Sequence, residues 1–193
     1  RHSFPTRRSS DLLLLCTALC LISCMNDMAA PSVSLEGKTF WIVRSLPVSP
    51  EQILRAKLSL QLEMGAPGMA AAVLCAAYAL RRAKVPWPEV LLCALLSFSF
   101  LVFHTLWCLF MGVLFPNLNW SNEIYPVKQS LGVGLGLFGG WGFAVLPCVL
   151  YLWKGYRIPS ALYGLVHFAL LLILSAVLYG WIMTKGARRL EEL

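Results

Sequence analysis

The sequence predicts an all-α protein, a polytopic transmembrane helix bundle of about five crossings, the first incomplete, with a short amphipathic segment outside the membrane. Three observations predict it. Hydrophobic residues make up 59% of the 193-residue chain, charged residues only 13%, and the mean hydropathy is +0.71. A soluble domain carries roughly 25% charged residues, and a globule of this size has too little interior to hide so much apolar surface. The apolar residues also lie in runs long enough for spanning helices, which need about 20 residues to cross a hydrocarbon core of about 30 Å. Backbone in lipid must satisfy its own hydrogen bonds, so such runs are helices and not open strands.

Residues 1–12, RHSFPTRRSSDL, stand apart. They resemble the conceptual translation of a sequencing-library adapter and are read as a disordered artefact outside the fold. On that reading native sequence before residue 13 is missing. The competing reading is a signal peptide, with Arg7 and Arg8 as its basic region and residues 12–24 as its apolar core. Setting the segment aside leaves 13 basic and eight acidic residues, a net charge of +5. That balance suits anionic lipid and cytoplasmic-face charge, and no basic run with interleaved aromatics points to nucleic acid.

The transmembrane domain is expected over residues 13–185. Its crossings are placed at about 13–28, 58–80, 90–115, 130–153 and 158–184, followed by a charged tail at 186–193. Three of these runs hold no Asp, Glu, Lys or Arg; the run at 58–80 carries Glu63 near its start.

The longest polar stretch, residues 26–57, lies between the first and second crossings. Within it Leu35, Ile42, Val43 and Leu46 share one helical face, with Lys38 and Arg44 elsewhere. Pro47 breaks that pattern, because proline disfavours helix in the residue before it. A new helix then starts with Ser49 as N-cap, Pro50 at its first position and Gln52 completing a capping box. Glu51 and Arg55 form an i, i+4 pair in the favourable order. Pro67, flanked by Gly65 and Gly68, is expected to kink this helix.

Positive charge sets the orientation. With the tail cytoplasmic, residues 26–57 and 116–129 are too, and that side holds eight basic residues against five on the other.

Enzyme signatures are sparse. Gly134-Leu135-Gly136-Leu137-Phe138-Gly139 matches G-x-G-x-x-G but has no strand before it and no acid at the required distance. Gly132, Gly136 and Gly140 instead recur every fourth residue, a small-residue face for close helix packing. No P-loop occurs. Cys16, Cys20 and Cys24 also share one face, read as packing and not as a metal site. Glu63, His104 and His167 are ionisable residues in apolar helices and therefore functional suspects. No catalytic, metal-binding or cofactor-binding residue is assigned.

The polar segments carry a resemblance. Ser34-Leu35-Glu36-Gly37-Lys38 with Trp41, then Ser45-Leu46-Pro47-Val48-Ser49 and Ile53-Leu54-x-x-Lys57, resembles the cytoplasmic segment of bacterial ABC-2-type ABC transporter permeases. The later stretch Asn117-Leu118-Asn119-Trp120-Ser121-Asn122-Glu123 with Pro126-Val127-Lys128-Gln129-Ser130 is similar to one in larger exporter permeases of that group. The resemblance implies a multi-pass cell-membrane permease subunit that binds no ATP itself. It implies an ABC ATP-binding subunit, a second permease copy or half, and the lipid bilayer as partners. It also implies a coupling segment at 34–57 with Glu36, Gly37, Lys38, Trp41, Leu46, Pro47, Ser49 and Lys57, and a second contact including Asn122, Glu123 and Lys128. The alternatives are a membrane-embedded enzyme using Glu63, His104 or His167, and a non-transporting assembly or sensor protein.

Overall fold

A computed structural model of the chain describes residues 7–45, 47–122, 124–128, 130–154 and 158–192. These residues form helices, with no strand among them. Five stretches among them are long and apolar enough to cross a membrane: Asp11–Ser34, Pro50–Arg82, Trp87–Leu114, Ile124–Trp153 and Ser160–Glu192. The chain has the build of a multi-pass membrane protein.

Helix α5 (Trp87–Leu114) is the axis of the bundle. Around it pack α1 (Arg7–Cys24), α2 (Ala29–Ser34), α4 (Pro50–Arg82), α7 (Leu131–Trp153) and α8 (Ser160–Trp181). Its sequence suits a central place. Phe100, Phe103, Leu109 and Val113 are fully enclosed. Its buried hydroxyls turn back onto their own helix: Ser97 Oγ donates to the Cys93 carbonyl at 2.8 Å and Thr105 Oγ1 to the Leu101 carbonyl at 2.9 Å. A hydroxyl in apolar surroundings needs such a partner. Helices α4, α7 and α8 each bury only a stripe. Their outward faces, with Leu74, Leu131, Phe138, Ile173 and Val177 exposed, present apolar surface that suits lipid better than water.

Connectors gather at two ends. The start of α7 meets the end of α5, where an added Cβ on Gly132 would lie 3.1 Å from the Met111 carbonyl oxygen. The start of α8 meets the start of α5, Gly164 facing Leu92. One end therefore holds residues 35–45, 47–49, 115–122 and the C-terminal helix α9 (Ala187–Glu192), whose Arg189 donates to the Leu114 carbonyl at 3.1 Å. The other holds the turn after α4, the end of α7, the start of α8 and the start of α1.

Two expectations are corrected. Residues 7–12 continue α1 as helix, with Leu12 in the apolar core beside Leu80 and Val85. Once a helix is nucleated, each further residue adds a hydrogen bond, so extension is cheap. The first span also does not end at residue 28. It unwinds over residues 25–28 and resumes as α2, whose Ala29, Ala30, Val33 and Ser34 are buried. Gly112 lets it in: a Cβ there would stand 2.3 Å from the Ala30 carbonyl oxygen. The polar Asn26 and Asp27 mark a break inside the span, not its exit.

Short elements complete the near end. A 3-10 turn (Gly37–Thr39) leads into α3 (Phe40–Ser45), and α6 (Ile124–Lys128) precedes α7. Helix α4 begins as its sequence dictates. Ser49 Oγ accepts from Gln52 N, the Gln52 side chain accepts from Ser49 N, and Pro50 opens the helix. It continues through Pro67 for 33 residues, about 50 Å. That exceeds the hydrocarbon thickness, so one end stands clear of it. A single π turn (Ile182–Gly186) joins α8 to α9, whose Leu190 is buried.

The apolar interior divides in two along the bundle. One cluster joins Cys16, Leu19, Cys20 and Cys24 to Leu80, Cys93, Phe100 and Phe103; the other joins Ala29, Ala30 and Val33 to Leu54, Leu58, Cys108 and Leu109. The unwound residues of the first span lie at the seam.

Candidate functional site

Two polar arrangements break the apolar pattern. The first is a platform at the end of the bundle, assembled from the two segments that the sequence singles out. Where α2 ends, the Ser34 carbonyl accepts from Trp120 Nε1 at 2.7 Å and Ser34 Oγ accepts from Asn117 N at 2.9 Å. Trp120 lies across Gly37, whose φ of +47° falls in the left-handed region where a side chain is strained. A Cβ on Gly37 would stand 2.7 Å from the indole ring. Backbone freedom and close approach thus both demand glycine here.

Glu36 and Lys57 tie this platform to α4. Lys57 Nζ pairs with Glu36 Oε1 and donates to the Ser32 carbonyl at 2.8 Å. Both side chains are largely covered, so the pair escapes much of the screening that weakens surface ion pairs. The structure therefore joins Glu36, Gly37 and Lys57 around Ser34, Asn117 and Trp120.

The other residues of the set lie outside that knot. Lys38 is in the 3-10 turn, and Trp41 on α3 is 68% exposed. Pro47 and Ser49 are exposed at the entrance to α4, Ser49 serving as its cap. Asn122 Oδ1 accepts from Ile124 N at 3.1 Å and so caps α6, which ends at the exposed Lys128. Leu46 and Glu123 lie outside the described residues. Ser34, Asn117 and Trp120, which hold the knot together, belong to the quoted motifs but are absent from the expected site. Only their partners' positions in space reveal them.

The second arrangement surrounds the break at residues 25–28. Unwinding strands backbone groups in a medium without water, where each must find a partner. Gln61 of α4 supplies two at once. Its Oε1 accepts from Ala29 N, and its Nε2 donates to the Asn26 carbonyl at 3.1 Å. The side chain is 1% exposed. Asp27 Oδ1 accepts from Ala30 N at 3.2 Å. Beyond it lie Cys108 and His104 of α5, with Cys108 Sγ 3.4 Å from His104 Nε2.

Helix α7 closes over this region with its glycine stripe. A Cβ on Gly136 would lie 3.0 Å from Asp27 Oδ2, and one on Gly140 would lie 2.6 Å from the His104 ring. Comparison with protein-family models, curated proteins and solved structures finds no match to this chain. The geometry must speak alone.

The three ionisable suspects are not brought together. Glu63 lies on the exposed face of α4, and His104 is enclosed against α7. His167 of α8 lines a separate cavity of about 30 Å³ with Cys16, Cys20, Cys148 and Tyr163. The Cys16, Cys20 and Cys24 stripe is buried, with Cys16 Sγ 3.0 Å from Cys93 Sγ as free thiols. Sequence reasoning missed Gln61 and Asp27. A lone glutamine and an acid in a two-residue polar patch, Asn26-Asp27, give no periodic signal.

Proposed function

We propose that the chain is the membrane-spanning permease subunit of an ATP-driven exporter, coupled to a separate ATP-binding-cassette subunit that docks on the platform end. The observation that carries this reading is the knot of Trp120 on Gly37 and Ser34. It makes one rigid unit of two segments 83 to 86 residues apart, the same two that resemble the ABC-2 permease motifs. A docking surface must be stiff to transmit force. Through the Glu36–Lys57 pair this unit is fixed to α4, a helix long enough to carry a displacement from outside the membrane into its interior. The platform also leaves Ile42 and Ile124 exposed beside Trp41 and Tyr125, aromatic types that form the anchors of protein interfaces. On this reading the platform and the C-terminus are cytoplasmic, in the cell membrane, and a second permease copy or half completes the transporter.

Affinity purification of the tagged chain from its own membranes in mild detergent tests the proposal. An ATP-binding-cassette subunit is expected to accompany it. The Trp41→Ala variant should recover about tenfold less of that subunit, as for truncation of an interface anchor. A chain that purifies to homogeneity from its own membranes with no such subunit overturns the reading.

A further inference from the structure

The break in the first span leaves one group unaccounted for. Asp27 Oδ1 is held by the Ala30 N–H, but Oδ2 is sealed from solvent with only the Cys108 thiol, a weak donor, opposite it. No ion pair to Asp27 occurs among the described residues. An ionised carboxylate so weakly solvated is among the costliest groups to hold in hydrocarbon, and the usual relief is uptake of a proton. Gly136 of α7 closes over Oδ2, where a Cβ would stand 3.0 Å from it, 3.4 Å from Cys108 Sγ and 3.5 Å from Ala30 Cβ. No group of three or more His, Cys, Asp or Glu side chains that could hold a metal ion occurs among the described residues.

We propose that Asp27 is an exchangeable proton-binding site inside the membrane, with the proton carried on Oδ2 opposite the Cys108 thiol. The inference does not depend on the transport reading. The titratable groups around it are few. From α1 comes Cys24, and from α5 come Cys108 and His104. Helix α7 offers only Gly136 and Gly140. Helix α4 offers the Gln61 amide, and Lys57 one turn away is engaged by Glu36 and the Ser32 carbonyl.

Water is the source and sink of the proton. Beside the break a cleft of about 290 Å³ is lined by Ser23, Asn26, Met64, Gly65, Gly68 and Leu101. The cleft is mostly apolar, its polar lining being Asn26 and the buried Ser23 hydroxyl, which has no partner among the described residues. Hydronium arriving by this route leaves its proton on Oδ2: one O–H bond forms, one breaks, and the carboxylate charge goes from −1 to 0. Release to water is the reverse. In the charged state the Cys108 S–H donates to Oδ2; in the neutral state the new O–H faces the Cys108 sulfur.

Labelling by dicyclohexylcarbodiimide, an apolar reagent for protonated carboxyls, tests this on the full chain in lipid nanodiscs. Peptide mapping reads Asp27 in the wild-type chain, with the exposed Glu63 as reference, so the result does not hang on a variant folding. Labelling at Asp27 is expected at low pH and should then fall about tenfold per pH unit above its midpoint. Asp27→Asn should abolish the label at that peptide. Cys108→Ala removes a donor to the charged form and should move the midpoint upward. Labelling that does not change with pH would mean a permanently protonated structural acid and overturns the proposal. So does the absence of label at Asp27 while Glu63 reacts.

Discussion

Gln61 holds two chain ends that would otherwise be bare. The Ala29 N–H and the Asn26 carbonyl have lost their helical partners, and a single amide meets both because it carries a donor and an acceptor. Gln61→Leu keeps much of the volume and removes both bonds. Leaving each buried group unpaired costs about 1–3 kcal/mol. The variant should unfold at a clearly lower temperature in detergent, whereas Gln52→Leu, on the exposed cap of α4, should lose only about 1 kcal/mol. Equal melting of the Gln61 variant and the parent would show that the break finds other partners. None of this is legible in the sequence. The capping box is readable because its two members lie three residues apart. The partners of Gln61 lie 32 and 35 residues away, and no local pattern links them.

At the scale of elements, α7 shows what a four-residue period reveals. Gly132, Gly136 and Gly140 face α5 and the broken span, and Ala144 and Cys148 continue the buried stripe. Gly134 and Gly142 on the same helix face open space. The contrast sets up a controlled test. Gly136→Leu must push α7 from its neighbours, and overpacking costs about 1–3 kcal/mol or more. Gly142→Leu should change stability by less than about 0.5 kcal/mol. Thermal unfolding of the two variants side by side reads the difference, and equal losses would remove the stripe as a packing face. The stripe is plain in the sequence, whereas the break at residues 25–28 is not. A short polar patch after an apolar run reads as an exit from the membrane. Here tertiary partners, Gln61 and the close approach at Gly112, hold it inside.

For the whole molecule, the helical class and the number of spans follow from composition and run length, because lipid leaves the backbone few choices. The pairing of the two polar segments does not follow. It depends on how α2, α5 and α7 meet, which apolar periodicity alone leaves open. Alternation of the connectors is directly testable. With the exposed Cys75 replaced by serine, Pro47→Cys and Lys128→Cys should react with a membrane-impermeant maleimide from one side of sealed vesicles. Pro88→Cys and Lys154→Cys should react only from the other. Labelling of all four from one side would refute the five-span arrangement.

Lys57 and Gln61 are four residues apart, about 6 Å along α4. The first grips the chain after the break, through Glu36 and the Ser32 carbonyl, and the second grips the two loose ends at the break itself. Because both handles belong to one stiff rod, a twist or slide of that rod by a few ångströms moves them in step. A displacement of either attachment is therefore expected to be felt at the other.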